Sequence, residues 1–253
     1  MKRSTSLLFS LMLASGSAVA QEKVLNLYSA RHYQTDEVLY SNFTKQTGIK
    51  INRIDGKEDE LLERIKNEGS NSPADVFITV DAARLAQADA LGLFAPVSSK
   101  TLESRIPAHL RTKDWFSFSI RARVIVYNKD TIKAEEVQNY EDLAQPRLKG
   151  KVCTRSGMHP YNLSLMSSMI AHGSEAKAEE WARGVVANFA RPPKGGDTDQ
   201  IKATAAGECG VALTNSYYLA RLMRSEKAED RKVVERIGVV WPNQQNRGTH
   251  INI

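Results

Sequence analysis

Between residues 24 and 92 the chain alternates strand and helix patterns with short connections, and that order leaves few folds open. Residues 24–28 alternate apolar and polar side chains, as a half-buried strand does. Residues 29–33 read as a loop, and Thr35 or Asp36 is placed to cap a helix over 37–46, with Val38, Leu39 and Phe43 on one face. Gly48 ends that helix, and residues 49–54 alternate again. A helix over 59–68 buries Leu61, Leu62 and Ile65. Residues 75–80 are nearly continuous in apolar side chains, the pattern of a strand covered on both faces. Asp81 then caps a helix over 82–90, closed by Gly92. Strand–helix–strand–helix–strand with short joins predicts a parallel α/β sheet with right-handed crossovers. Ligands of such sheets bind beyond the carboxyl ends of the strands, where His32 and Tyr33 fall. Neighbouring side chains in an extended loop point apart, so Tyr33 is preferred over His32 as a ligand.

A second α/β pattern follows. Residues 117–127 form a long β-rich run that can pass from one lobe to another as a hinge element. Residues 128–145 are a polar, helix-containing connection. Residues 151–154 read as a short strand, 155–161 as a loop with His159, Pro160 and Tyr161, and 162–171 as a helix. Residues 176–189 are amphipathic around Trp181, Val185 and Phe189. Gly195-Gly196-Asp197 reads as a simple turn before a short helix over 198–207. The run 211–218, Val-Ala-Leu-Thr-Asn-Ser-Tyr-Tyr, is a buried strand ending at a helix start, with Asn215-Ser216 suited to the cap. Residues 237–241 make a further strand, and Ile251-Asn252-Ile253 looks like the first step of another element.

The first 20 residues stand apart. Lys2 and Arg3 precede an apolar stretch over 7–13, and Ala18-Val19-Ala20 is a small-residue cleavage site. The expected mature chain starts at Gln21, since the apolar stretch is too short to span a bilayer. Losing Lys2 and Arg3 lowers the formal charge from +6 to +4, with no basic cluster interleaved with aromatics. Nucleic acid is therefore excluded as a partner. Cys153 and Cys209 are an even pair in an exported chain, which points to one disulfide, two buried free thiols being the alternative.

His32, Tyr33, Tyr161, Tyr217 and Tyr218 all lie in loops after predicted strands. Aromatics packing at a helix start are the bland account of the last two. A free phenol has a pKa of about 10 and is neutral at pH 7, so several in one cleft call for a strong Lewis acid to ionise them. Anionic oxygen suits hard cations, and ferric iron is the natural one; calcium would ask for carboxylates or carbonyls. A hydrolase built on His32 or His159 with a serine finds no Gly-x-Ser-x-Gly elbow and no matched acid.

Four segments, Tyr28-Ser-Ala-Arg-His-Tyr33, Ser72-Pro-Ala-Asp-Val76, Pro160-Tyr-Asn162 and Asn215-Ser-Tyr-Tyr218, carry a resemblance. They resemble the periplasmic ferric-iron-binding proteins of bacterial ABC importers, in particular the FutA-type branch. The resemblance covers nearly all of the mature chain. It implies a two-lobed, hinged, transferrin-like periplasmic-binding fold of type II. It implies lobes at 21–122 and 123–236, with 237–253 returning toward the first lobe and the C-terminal part of the fold missing. By position it makes Tyr33, Tyr161, Tyr217 and Tyr218 phenolate ligands and His32 a variable one, with Arg123 and Arg221 as cations behind them. It implies a monomer that captures Fe(III), with a coordinating anion or water, and passes it to an inner-membrane permease without catalysis. The alternative is the same fold binding a polyamine, thiamine or a phosphonate.

Overall fold

The computed structural model describes residues 23–31 and 33–253. The leader read at 1–20 and His32 lie outside the described residues. The chain divides into two units. One comprises the residues up to Gly56 together with Pro73–Ile78, the other Lys57–Ser72 and Thr79–Ile253.

In the first unit, β1 (Val24–Ser29), β2 (Lys50–Asp55) and β3 (Val76–Ile78) form a sheet in the order β2-β1-β3. Both pairings are parallel, with Leu25 opposite Ile51 and Leu27 opposite Val76. This is the parallel sheet read from the alternation. The helix α1 (Asp36–Thr47) is closed by Gly48, whose left-handed φ of 70° lets its N–H reach the Thr44 carbonyl at 2.9 Å. Its cap position is Thr35, which makes no side-chain cap bond. The apolar face expected of α1 is incomplete. Phe43 is half-buried, but Val38 and Leu39 are exposed, Leu39 even though it lies one turn before Phe43 on the same stripe. β3 is shorter than the apolar run that announced it and stops at Ile78.

The second unit begins with α2 (Glu58–Glu68), which buries Leu61, Leu62 and Ile65, and α3 (Ala82–Ala90), capped by the Asp81 carboxylate on the Ala83 N–H at 3.1 Å. α4 (Lys100–Arg105) follows, capped by Ser99. Then come β4 (Arg121–Asn128), β5 (Val152–Cys153), α5 (Pro160–His172), α6 (Glu175–Ala187), α7 (Asp197–Ala206), β6 (Val211–Asn215), α8 (Ser216–Met223), α9 (Ala228–Arg236), β7 (Ile237–Val240) and β8 (Ile251–Asn252). The strands order as β5-β6-β4-β7, with β8 also on β4. β5 and β6 are parallel; β6, β7 and β8 all run antiparallel to β4. The long β-rich run forms strand only from Arg121, because β8 pairs with Arg121 and Ala122 and residues 117–120 have no ladder partner among the described residues. The connection 128–145 holds short 3-10 turns at Ala134–Val137 and Tyr140–Ala144 where a helix was expected.

Alternation on β4 and β6 sorts their side chains onto two buried faces. Ile125, Val211 and Leu213 join Tyr140, Leu143, Leu165, Met169 and Val185 on one. Val124, Val126 and Ala212 join Ile201, Leu219, Leu222 and Ile237 on the other. Cys153 and Cys209 form a disulfide on the second face, with Cα atoms 5.8 Å apart. It ties β5 to the residues that open β6, and these two strands lead into α5 and α8.

Candidate metal centre

Two strand-to-helix junctions of the second unit carry the phenols. After β5, residues 154–159 turn the chain into α5. Pro160 suits the first helical position because it has no N–H to leave unpaired. His159 is the cap, its Nδ1 accepting the Tyr161 N–H at 3.2 Å. Asn162 fastens the loop from inside, its amide donating to Thr154 Oγ1 and to the Arg155 and Ser156 carbonyls, each at 3.1 Å. β6 passes into α8 with no loop. Asn215 is its cap residue, as read from the sequence, but makes no side-chain cap bond. The Asn215 carboxamide oxygen is instead taken by Arg123 at 3.2 Å.

These junctions bring Tyr161 and Tyr217 together, with hydroxyl oxygens 3.4 Å apart. The Tyr161 side chain is almost wholly buried, while Tyr217 is half-buried. Tyr218 is stacked on Tyr217, ring centroids 4.1 Å apart at 30°, and leans on the core face of Leu219 and Leu222. Three guanidiniums surround the Tyr161 ring. Their central carbons lie 5.2 Å (Arg155), 5.5 Å (Arg121) and 5.9 Å (Arg123) from its centroid, within the range of cation–π attraction. Arg121 also donates to the Val80 carbonyl.

Behind the phenols is a buried polar hub. Arg123 and Asp197 are both fully buried and meet at 2.7 Å. The second Nη of Arg123 donates to Asn162 Oδ1 at 2.7 Å. Asp197 also accepts the Asn215 N–H at 2.7 Å and Arg155 at 3.3 Å. One carboxylate thus braces both tyrosine-bearing junctions. A buried charge of this kind is tolerated only when paired and hydrogen-bonded.

Of the residues singled out from sequence, Tyr161, Tyr217, Tyr218 and Arg123 are gathered in this one region. Tyr33 belongs to the first unit; it is half-buried, with Arg31 4.7 Å above its ring and its carbonyl accepting the Asp36 N–H at 3.0 Å. Arg221 is exposed in the last turn of α8 and has no ion pair among the described residues. Sequence reasoning missed Arg155 and Asp197. Asn162 and Asn215 stood inside quoted motifs, Pro160-Tyr-Asn162 and Asn215-Ser-Tyr-Tyr218, and were the available signal. Among the described residues no three His, Cys, Asp or Glu side chains cluster in a way that could hold a metal. The donor set here is phenolic, which suits a hard, highly charged cation.

A family model described as bacterial extracellular solute-binding protein matches residues 39–253. Iron uptake protein A1 of Synechocystis is 52% identical over 235 residues, covering 92% of this chain. The chain spans 65% of that relative's length. A solved structure of Trichodesmium FutA in complex with iron and citrate is 57% identical at a TM-score of 0.83, covering 91% of this chain and 73% of that one. The ferric binding protein from Campylobacter jejuni is 50% identical at a TM-score of 0.86, covering 90% and 73%. The fold is thus the α/β class of these ferric-binding proteins, as expected from the sequence.

Proposed function

We propose, on the premise that this chain belongs to the bacterial extracellular solute-binding protein family, that it captures ferric iron as its cargo in the periplasm. The observation that carries the reading is the Tyr161–Tyr217 hydroxyl pair at 3.4 Å, with three arginines near the Tyr161 ring, in a chain 57% identical to an iron-and-citrate complex. Two neighbouring oxygens on an octahedral ion bonded at ~2 Å stand about 3 Å apart, so a small inward movement lets both phenols share one ion. A bound ferric ion displaces the phenol protons, so uptake releases protons and loosens in acid. Guanidiniums near Tyr161 offset the negative charge of the phenolates formed. An anion completes the coordination; citrate is a candidate, since it is present together with iron in the Trichodesmium complex.

Tyr218 is assigned as a further phenolate, supported by its stacking on Tyr217. Tyr33 and His32 are assigned from the motif that contains them. Arg123 supports the site from behind, and Arg221 is kept as an outlying cation. The protein carries out no chemical conversion of its cargo and hands it to an inner-membrane ABC permease. The lobe limits of 21–122 and 123–236, with cleavage after Ala20 and a monomeric state, remain part of this reading.

Ferric titration of the purified chain tests it. A broad visible band from phenolate-to-iron charge transfer is expected, and Tyr161→Phe and Tyr217→Phe each weaken it. A saturated but colourless ferric complex would rule the phenol ligands out.

A further inference from the structure

His159 is an unusual choice for the start of α5. Caps are mostly Ser, Thr, Asp or Asn, whose short oxygens reach the second or third helical N–H. Here an imidazole does that work, with Nδ1 accepting the Tyr161 N–H at 3.2 Å. Pro160 supplies no N–H, so the Tyr161 N–H is the first orphan donor of the helix. The same imidazole stands edge-on to the Tyr161 ring, centroids 4.5 Å apart and planes at 68°. Edge-to-face packing of this kind has a preferred geometry and resists rotation of the ring. A serine or asparagine would cap α5 as well or better. What neither supplies is an aromatic edge against Tyr161. Because Nδ1 accepts, the proton of the neutral ring sits on Nε2.

We infer that His159 is a positioning residue for Tyr161, holding its backbone by the cap and its ring by the edge contact, so that the phenol oxygen stays beside that of Tyr217. The inference rests on the iron-binding reading for its consequence, though not for its geometry. Three guanidiniums also lie against the Tyr161 ring and are themselves anchored, Arg123 and Arg155 to Asp197 and Arg121 to the Val80 carbonyl. A phenol held by several anchored neighbours arrives at a metal already aimed, and binding then costs less ordering entropy.

Three substitutions separate the two contacts. His159→Asn keeps a cap and loses the ring, His159→Phe keeps an aromatic edge and loses the cap, and His159→Ala loses both. Metal-free protein labelled with ¹³C-tyrosine is examined by NMR, with Tyr161 assigned through Tyr161→Phe, and each variant is then titrated with ferric iron against a chelator. In His159→Asn and His159→Ala the ring-current shift of Tyr161 is expected to vanish, the charge-transfer band to move, and iron affinity to fall about tenfold, or about 1.4 kcal/mol. In His159→Phe the shift and band survive while the melting temperature drops. If His159→Asn keeps the wild-type band and iron affinity although the ring is gone, the cap alone matters and the inference is overturned. If the wild type gives no band at all, the iron reading falls, and the ring signals alone decide the role of His159.

Discussion

Replacing Asp197 by Asn removes one charge from the centre of the second unit. Both Asp197 and its partner Arg123 have no exposed side-chain surface. Removing one member of such a pair leaves the other charge uncompensated, at a cost of about 3–5 kcal/mol. Asparagine still offers an oxygen to the Asn215 N–H, so the further loss of about 1–3 kcal/mol for an unpaired buried donor is avoided. The expected loss for Asp197→Asn is therefore about 3 kcal/mol, a large part of the 5–15 kcal/mol typical of a folded protein. Urea unfolding followed by tryptophan fluorescence reports it, since Trp115, Trp181 and Trp241 all belong to the second unit. Glu179→Gln is the control. It breaks the Arg183–Glu179 pair, whose side chains are 77% and 63% exposed, and costs under about 0.5 kcal/mol. Adding Arg123→Met to Asp197→Asn should recover part of the loss, because the buried guanidinium is then no longer left without its counter-charge. The reasoning is refuted if Asp197→Asn costs no more than the control, or if the double variant is no better than the single.

Other outcomes follow from the same structure. Cys153→Ser with Cys209→Ser opens a loop of sequence separation 56, and in the chain-entropy model lowers stability by about 4 kcal/mol; an unchanged urea midpoint would contradict it. Asp81, buried beside Arg84 and Arg121, has its pKa raised by desolvation from 3.8 to about 6, so the folded state holds its proton longer and stability falls as pH rises from 4 to 6. Asp81→Asn keeps the cap and should stabilise by about 3 kcal/mol above pH 6, and by nothing below pH 4. His250 goes the other way: burial lowers it from 6.5 to about 4, so its neutral form stabilises the fold above pH 6.5 and that stability is lost as pH falls toward 4. Stability curves of His250→Gln should lack this acid-side decline. Tyr217→Phe with Tyr218→Phe should abolish tight iron binding while the fold survives, whereas His32→Ala weakens it modestly and flattens its pH dependence near 6.5. Chelator competition between pH 5 and 8 showing the reverse order would make His32 the principal ligand.

The parallel sheet of the first unit was readable because period-two alternation and glycine punctuation are local signals. So was the β6–α8 junction, where a buried strand runs straight into Ser216 with no loop. α4 and α9 were missed, being short and highly charged with no apolar stripe to betray them. The start of the β-rich run was placed four residues early, because alternation continues back to Ser117 although no strand among the described residues pairs with it. The site divides in the same way. Tyrosines after strands can be picked from spacing, but Asp197 lies 74 residues from Arg123 and looks like an ordinary turn carboxylate. Only the packed fold reveals that it serves both junctions. Arg155 was hidden for the same reason, since its contacts are to Asp197 and to the Tyr161 ring.

The central strand of the second unit also has a history in time. Among the described residues β4 pairs only with strands that come later in the chain, and Arg123 meets Asn215 92 residues downstream. At about 5–20 residues per second, roughly 5 to 18 seconds separate the synthesis of these two positions. For that interval Val124-Ile125-Val126 waits without its ladder, a β-branched, uncharged stretch of the kind that pairs with other chains. Long-range antiparallel pairing is also slow once all partners are present. The second unit therefore assembles late around a strand made early, and its yield depends on how well that strand is shielded while it waits.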